Sequence, residues 1–122
     1  MPERFKKLKE LAAFLRGPKG CPWDKKQTIK SMLKNISDEA KEVEEAIAKE
    51  DHENLKEELG DLLFNVIMIA QIAEEEGHFT ISEVLHDIEE KIMTRHSWVF
   101  GEDKAKTPDE ALKLWNKNKG NK

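Results

Sequence analysis

The sequence predicts an all-α protein of four to five helices, and three observations support this class. Its 122 residues include only six Gly and four Pro, most of which fall in short stretches between longer segments. Those segments are rich in Leu, Ala, Glu and Lys, which have high helix propensity. Apolar residues recur in them at steps of three and four, the spacing of one helix face. We expect a single domain over residues 1–122, since a chain of this length hides roughly two thirds of its unfolded surface around one core.

The first two predicted helices flank a loop rich in Gly and Pro. The first helix runs from about Glu3 to Leu15, and the loop from Gly17 to Lys26 follows it. The second helix runs from about Thr28 to Lys49, because its apolar residues form one stripe at helical spacing. That stripe consists of Ile29, Met32, Leu33, Ile36, Ala40, Val43 and Ile47.

The third predicted helix is apolar on nearly every side. Asp51 caps it, it runs from about His52 to Glu76, and Gly77 ends it. A helix that is apolar all round must be buried all round, and four short companions can hardly enclose it. We therefore expect one side to pack inside the subunit and the other against a second copy, most economically as a two-fold homodimer or within a higher homo-oligomer. The apolar residues are Leu59, Leu62, Leu63, Phe64, Val66, Ile67, Met68, Ile69, Ala70, Ile72 and Ala73.

The last two predicted helices each begin at a threonine. Thr80 and Thr107 both precede a glutamate by three positions, which is the form of a capping box. They predict a fourth helix that ends at about Arg95 and a fifth that ends near Lys119. We expect residues 96–106, between these helices, to be irregular.

Charge and composition exclude several classes of function. A net charge of −4 provides no basic surface for a nucleic acid polymer. The chain has one Cys and no apolar stretch after its basic start, so we expect a cytoplasmic protein without a disulfide. Its longest apolar segment, Leu59–Ala73, has 15 residues and contains polar side chains. It is too short for a bilayer core of about 30 Å, so no membrane partner is expected.

Two pairs of acidic residues are the strongest candidates for a functional site. Glu39 and Glu42 are three residues apart on the second predicted helix, as are Glu58 and Asp61 on the third. Residues at this spacing share a helix face at about 5–6 Å. If the two helices form an antiparallel hairpin, both pairs lie at a similar distance from the turn, and the four carboxylates converge facing inward.

Converging carboxylates repel one another unless a cation neutralises them or their pKa values rise. A set of oxygen ligands suits Mg²⁺, with Mn²⁺ as a substitute, and Mg²⁺ commonly shares its shell with substrate phosphates. The competing interpretation is a solvated acidic face, which most Glu pairs in so charged a chain form. The chosen pairs differ because they adjoin apolar arcs on consecutive helices.

Four strings of the sequence resemble the MazG family of nucleoside triphosphate pyrophosphohydrolases. They are residues 20–28 (GCPWDKKQT), 38–43 (DEAKEV), 57–64 (EELGDLLF) and 95–100 (RHSWVF), in this order along the chain. The resemblance implies an all-α fold assembled as dimers or higher oligomers, Mg²⁺ dependence, and hydrolysis of an NTP or dNTP to the monophosphate and pyrophosphate. It also implies that the metal ligands are Glu39, Glu42, Glu58 and Asp61.

Further candidates would contact the nucleotide. Lys91 and Arg95 share a face of the fourth predicted helix and resemble basic residues of the family, so they are candidates to hold phosphate oxygens, or else a surface pair. Trp115 is either a core anchor or a platform for the base. Trp23, in the Gly- and Pro-rich loop, either closes over the nucleotide or packs beside the hairpin.

The predicted reaction is attack of water on the α-phosphorus of a nucleoside triphosphate, canonical or not, with pyrophosphate leaving. The cation would lower the pKa of a bound water, and we nominate Glu39 as the base that takes its proton. Asn65 is expected to orient a ligand carboxylate. The alternative function is a non-catalytic helical dimer that binds a nucleotide or a protein.

Overall fold

The computed structural model describes residues 2–120, and it is helical. No strand occurs within these residues, so the predicted all-α class is confirmed. The helices are α1 (Pro2–Leu15), α2 (Pro22–Lys26), α3 (Met32–Ala48), α4 (His52–Glu75), α5 (Ile81–Arg95), α6 (Ser97–Phe100) and α7 (Pro108–Asn118). None of them is long and apolar enough to cross a membrane.

Two short helices, α2 and α6, lie where an irregular chain was predicted. Each has five residues or fewer, which is too short for a periodic apolar pattern to reveal. Before α2 the chain turns back so closely that the amide of Cys21 donates to the carbonyl oxygen of Leu15 at 2.8 Å. A Cβ atom on Gly20 would lie 2.0 Å from that oxygen, so the turn requires glycine.

The predicted boundaries of α4 are confirmed by its caps. The side chain of Asp51 accepts a hydrogen bond from the amide of Asn54 at 3.1 Å. At the other end Gly77 has a φ of +77°, and the amide of His78 reaches back to the carbonyl of Ala73 at 2.9 Å. This is the glycine-dependent termination that the sequence predicted.

Helix α3 begins four residues later than predicted, at Met32. Thr28 and Ser31 exchange hydrogen bonds ahead of it: the amide of Thr28 donates to Ser31 Oγ at 2.8 Å, and the amide of Ser31 donates to Thr28 Oγ1 at 3.0 Å. These local bonds satisfy backbone groups outside the helix and delay its start.

The described residues form two compact units, which meet in sequence between Ile81 and Ser82. In the first unit, α1 and α3 both pack on α4. Its core contains Ala12 from α1, Met32 from α3, and Ile67, Met68 and Ile72 from α4. Half-buried apolar side chains surround this core: Phe5, Leu8, Leu15, Phe64 and Ile69. In the second unit α6 packs on α7.

Helix α4 is buried on one side only. Leu59, Leu63 and Val66 follow one another at helical spacing and are 49%, 45% and 40% exposed. The opposite side of the same helix supplies most of the core of the first unit. The chain by itself therefore covers only part of the apolar surface that the sequence places on this helix.

The connection between α3 and α4 consists of residues 49–51 only. Glu50 lies there in the left-handed region, with a φ of +53°, which side chains other than Gly rarely adopt. The tight turn makes α3 and α4 antiparallel neighbours, and it brings the acidic residues of the two helices to the same level.

Candidate metal centre

Helices α3 and α4 bring three of the four predicted acidic ligands together. One carboxylate oxygen from each of Glu39, Glu58 and Asp61 lies within 4.8 Å of the others. Glu39 and Glu58 are half-buried, whereas Asp61 is exposed. The cluster therefore has a closed side between the helices and an open side at the surface.

Glu42, the fourth predicted ligand, lies one turn after Glu39 and is exposed. Its side chain raises the pKa of both Glu39 and Glu58, by hydrogen bonding and by charge. It therefore lies close to these two carboxylates. It is not part of the group of three oxygens within 4.8 Å. The inward orientation expected for all four residues thus holds for Glu39 and Glu58, while Glu42 and Asp61 lie at the open side.

The crowding of negative charge changes the protonation of the cluster. The pKa of Glu58 rises to about 8, first because its carboxyl group shares a hydrogen bond with Glu39, and then through burial and the neighbouring carboxylate of Glu42. For Glu39, the hydrogen bond with Glu58 lowers the pKa, but burial and the charges of Glu42 and Asp61 outweigh it, so the net pKa is raised. In the absence of a cation, the cluster holds a proton at neutral pH.

One oxygen of the cluster has no partner. Oε1 of Glu39 is buried and accepts no hydrogen bond from any group in residues 2–120. A buried polar atom without a partner costs about 1–3 kcal/mol, so native structures rarely leave one. A cation beside Glu39, Glu58 and Asp61 would supply the missing partner, and a donor set made only of oxygen suits a hard divalent ion such as Mg²⁺. The residues present therefore fit a metal ion.

A cavity of about 350 Å³ adjoins the cluster. Besides Glu39 and Asp61 it is lined by Asn35, Asp38, Phe64 and Asn65. The Asn65 amide donates to the backbone carbonyl of Asn35 at 3.3 Å, so it links α4 to α3 at the wall of the cavity. Sequence reasoning identified Asn65 but missed Asn35 and Phe64. Both lie about one helical turn from a predicted ligand, which is the signal that would have found them.

Trp23 lies in α2 and is 53% exposed. Its backbone carbonyl accepts a hydrogen bond from the side chain of Gln27 at 3.0 Å. It is not among the described residues that line the cavity beside the acidic cluster. A side chain exposed to this degree is compatible with both predicted roles, closing over the nucleotide and packing beside the hairpin.

In the second unit, two of the predicted nucleotide-binding residues are in contact. The guanidinium carbon of Arg95 lies 5.6 Å from the centroid of the Trp115 ring. The ring of His96 meets Trp115 edge-on, with centroids 5.2 Å apart. Lys91 precedes Arg95 by one turn of α5 and is exposed.

Comparison with known proteins gives consistent matches. The family model described as the MazG nucleotide pyrophosphohydrolase domain matches residues 27–100. The chain is 44% identical over 91% of its length to the uncharacterized protein YabN of Bacillus subtilis, of which it covers 23%. It is 41% identical over 91% of its length to the nucleoside triphosphate pyrophosphohydrolase/pyrophosphatase MazG of Thermotoga maritima, of which it covers 42%. The chain thus spans less than half the length of these relatives.

A solved structure covers nearly the same extent as this chain. The crystal structure of a mazG-related protein from Thermotoga maritima is similar with a TM-score of 0.76 and 32% sequence identity. The match includes 94% of this chain and 98% of that one. The helical arrangement described above is therefore also found in a relative of similar size.

Proposed function

This chain belongs to the MazG nucleotide pyrophosphohydrolase domain family, and from this membership we propose that it hydrolyses nucleoside triphosphates. The substrate class is an NTP or dNTP, including non-canonical ones, and the products are the monophosphate and pyrophosphate. In the reaction, water attacks the α-phosphorus of the triphosphate. We assign this activity to residues 1–122 as a single domain.

The observation that carries this proposal is the cluster of Glu39, Glu58 and Asp61, whose carboxylate oxygens lie within 4.8 Å of one another. Together with the unpartnered Oε1 of Glu39, it supports binding of Mg²⁺, with Mn²⁺ as a substitute. We assign Glu42, at the open side, as the fourth ligand. The bound cation supplies neutralisation of the triphosphate charge and a lowered pKa for a coordinated water.

Glu39 is the proton acceptor in this proposal. Its pKa is raised above the ordinary value of 4.5 by burial and by the charges of Glu42 and Asp61, and a raised pKa makes a carboxylate a stronger base. A carboxylate has two oxygens, so one oxygen of Glu39 could coordinate the cation while the other accepts the proton of the attacking water. Asn65 lines the same cavity one turn from Asp61, which supports a role in steadying that carboxylate.

The remaining predicted residues bind the nucleotide in this proposal. Lys91 and Arg95 bind the β- and γ-phosphates, since guanidinium and ammonium groups complement phosphate oxygens. Trp115 and Trp23 bind the base, and the partial exposure of Trp23 leaves ring surface available for this contact.

The protein acts as a homodimer or a higher homo-oligomer in this proposal. The support is the exposed apolar face of α4, formed by Leu59, Leu63 and Val66. Three neighbouring large apolar side chains on one helix face are typical of a protein interface. A second copy would cover this face by two-fold symmetry.

The proposal is tested with purified protein, Mg²⁺ and a panel of canonical and modified triphosphates, with pyrophosphate and orthophosphate measured separately. We expect pyrophosphate, and we expect Glu58→Gln and Asp61→Asn each to reduce its release by more than about 100-fold, because losing a ligand costs at least as much as losing the group that orients it. Glu57→Gln is the matched control, since Glu57 adjoins Glu58 in sequence and is exposed. Release of orthophosphate would refute cleavage at the α-phosphorus, and absence of turnover would favour the non-catalytic binding module.

A further inference from the structure

The second unit contains a buried polar side chain that the proposed chemistry does not use. Asn118, at the end of α7, is 8% exposed, and it is the one buried polar or charged residue among residues 2–120. Its Nδ2 donates to the carbonyl oxygen of Arg95 at 3.0 Å and to Ser97 Oγ at 2.8 Å. The amide group has two hydrogens, so both of its donors are satisfied.

These two bonds join α7 to the corner where α5 ends and α6 begins. The carbonyls at the end of a helix lack partners within the helix, and Arg95 is the last residue of α5. Ser97 is the first residue of α6. Asn118 therefore links its own helix to two elements at the point where the chain changes direction.

The same bonds determine where Trp115 lies. Trp115 precedes Asn118 by three residues on α7, so the two side chains share a helix face. With Asn118 held against the corner, the Trp115 ring lies 5.6 Å from the guanidinium carbon of Arg95 and 5.2 Å from the His96 ring. His96 is itself fixed, because its Nδ1 donates to the carbonyl oxygen of Ile92 at 2.7 Å.

If the position of Asn118 had only to be buried, an apolar side chain would be sufficient there. An amide has to form its hydrogen bonds on burial, since an unsatisfied one costs about 1–3 kcal/mol, so it permits only the arrangement in which both partners are present. The asparagine thus selects one register of α7 against the corner.

We propose that Asn118 is a positioning residue that holds Arg95 and Trp115 together for binding of the nucleoside triphosphate. The inference rests on the proposed function, in which Arg95 binds phosphate and Trp115 binds the base. Asn118 itself contacts no substrate and acts through its bonds to the α5–α6 corner.

The kinetic test compares Asn118→Asp with Asn116→Asp. The first substitution nearly keeps the shape of the side chain but presents an oxygen instead of a donor to the carbonyl of Arg95. Asn116 is an exposed asparagine on the same helix, so its substitution makes the same change of charge without those bonds. We expect Asn118→Asp to raise KM for the triphosphate by about tenfold, with kcat changed by less than about twofold, because the residue acts on binding. Asn118→Ala, which adds no charge, should show the same pattern.

The structural test follows the Arg95 Nε–H proton by NMR. The guanidinium carbon of Arg95 lies over the Trp115 ring at 5.6 Å from its centroid, so we expect the ring current to shift this proton upfield. We expect Asn118→Asp and Asn118→Ala to remove the upfield shift and Asn116→Asp to keep it, with helicity by circular dichroism retained in all three variants. A variant that loses its helicity would show that Asn118 is needed for folding and would overturn the positioning role.

Four further results would count against the inference in distinguishable ways. An unchanged KM, a fall in kcat without a rise in KM, or a raised KM with the ring-current shift intact each overturns the role of Asn118 while the proposed function stands. A wild-type chain that hydrolyses no triphosphate refutes the proposed function, and the inference falls with it.

Discussion

Arg16 and Glu75 form a bidentate ion pair that joins the end of α1 to the end of α4. The Nε of Arg16 donates to the two carboxylate oxygens at 3.0 and 2.9 Å, and Nη2 lies 2.9 Å from Oε1. The side chain of Arg16 is only 11% exposed. Its Nη1 also donates to the backbone carbonyls of Asp24 at 2.6 Å and Gln27 at 2.9 Å. One guanidinium group thus connects α1, α4 and the chain segment that contains α2.

Replacing this arginine should destabilise the first unit. We expect Arg16→Gln to lower the free energy of unfolding by about 1–3 kcal/mol, because it leaves two carbonyls and a carboxylate without their donor. The value stays below that of a fully buried pair, since the Glu75 side chain is 38% exposed to solvent. Urea unfolding measures the change. Arg4→Gln on the exposed side of α1 is the matched control, and an equal effect of both substitutions would contradict the stabilising role of Arg16.

The same pair predicts part of the acid sensitivity of the protein. The hydrogen bond from Arg16 lowers the pKa of Glu75 below its ordinary value of 4.5, although burial opposes the shift. A lowered pKa in the folded state means that the stabilisation is fully present above about pH 4.5 and is lost as the pH falls through the folded-state pKa. We expect Glu75→Gln to make the melting temperature less dependent on pH below 4.5. If the melting temperature of this variant falls as steeply below pH 4.5 as that of the wild type, other carboxylates account for the acid sensitivity.

The acidic cluster predicts the opposite pH dependence, a stability that falls as the pH rises. Because the pKa of Glu58 is raised to about 8 in the folded chain, its contribution to stability is fully present below the ordinary value of 4.5 and is lost as the pH rises through about 8. We expect the melting temperature in EDTA to fall over this range, and Glu58→Gln to reduce the fall. Excess Mg²⁺ should raise the melting temperature most at the alkaline end, where protons no longer compete for the carboxylates. A Mg²⁺ effect that is equal in wild type and Glu58→Gln would argue against a metal at this cluster.

The exposed face of α4 predicts how the protein associates. If the proposed homo-oligomer forms through this face, we expect Leu63→Lys to convert it to monomers at micromolar concentration, since a buried charge at the centre of an apolar interface lacks a partner. Sedimentation velocity measures the change. Leu33→Lys is the control, because Leu33 is 69% exposed on α3 and lies outside this face. If wild type and Leu63→Lys sediment alike, another surface makes the interface or the chain is a monomer.

Local chemistry made the five longer helices of this chain predictable. Thr107 illustrates this: its Oγ1 accepts from the amide of Glu110 at 3.2 Å, as the capping box predicted, and α7 begins at Pro108. The convergence of Glu39 with Glu58 and Asp61 was also predictable, because it follows from helical spacing and one short turn. These features depend on residues that are near one another in sequence or related by a single hairpin.

Two contacts that escaped prediction depend on partners distant in sequence. Arg16 and Glu75 are 59 residues apart, and Asn118 bonds to a carbonyl 23 residues earlier. No pattern marks either contact, since a lone Arg at a helix end and a lone Asn near a terminus are usually solvated. The exposure of Asp61 and Glu42 was missed for a related reason: the depth of a side chain depends on how closely two helices pack, which spacing alone does not fix.

The turn at residues 49–51 has a consequence for how this protein can vary. It contains three residues, one of them in the left-handed conformation, so it cannot be shortened without moving one of the two helices. Deleting one residue there would have to displace α4 along α3, by about 1.5 Å for each residue of helical rise, and would move Glu58 away from Glu39. Natural variants should therefore keep a constant number of residues in the α3–α4 turn, whatever its composition.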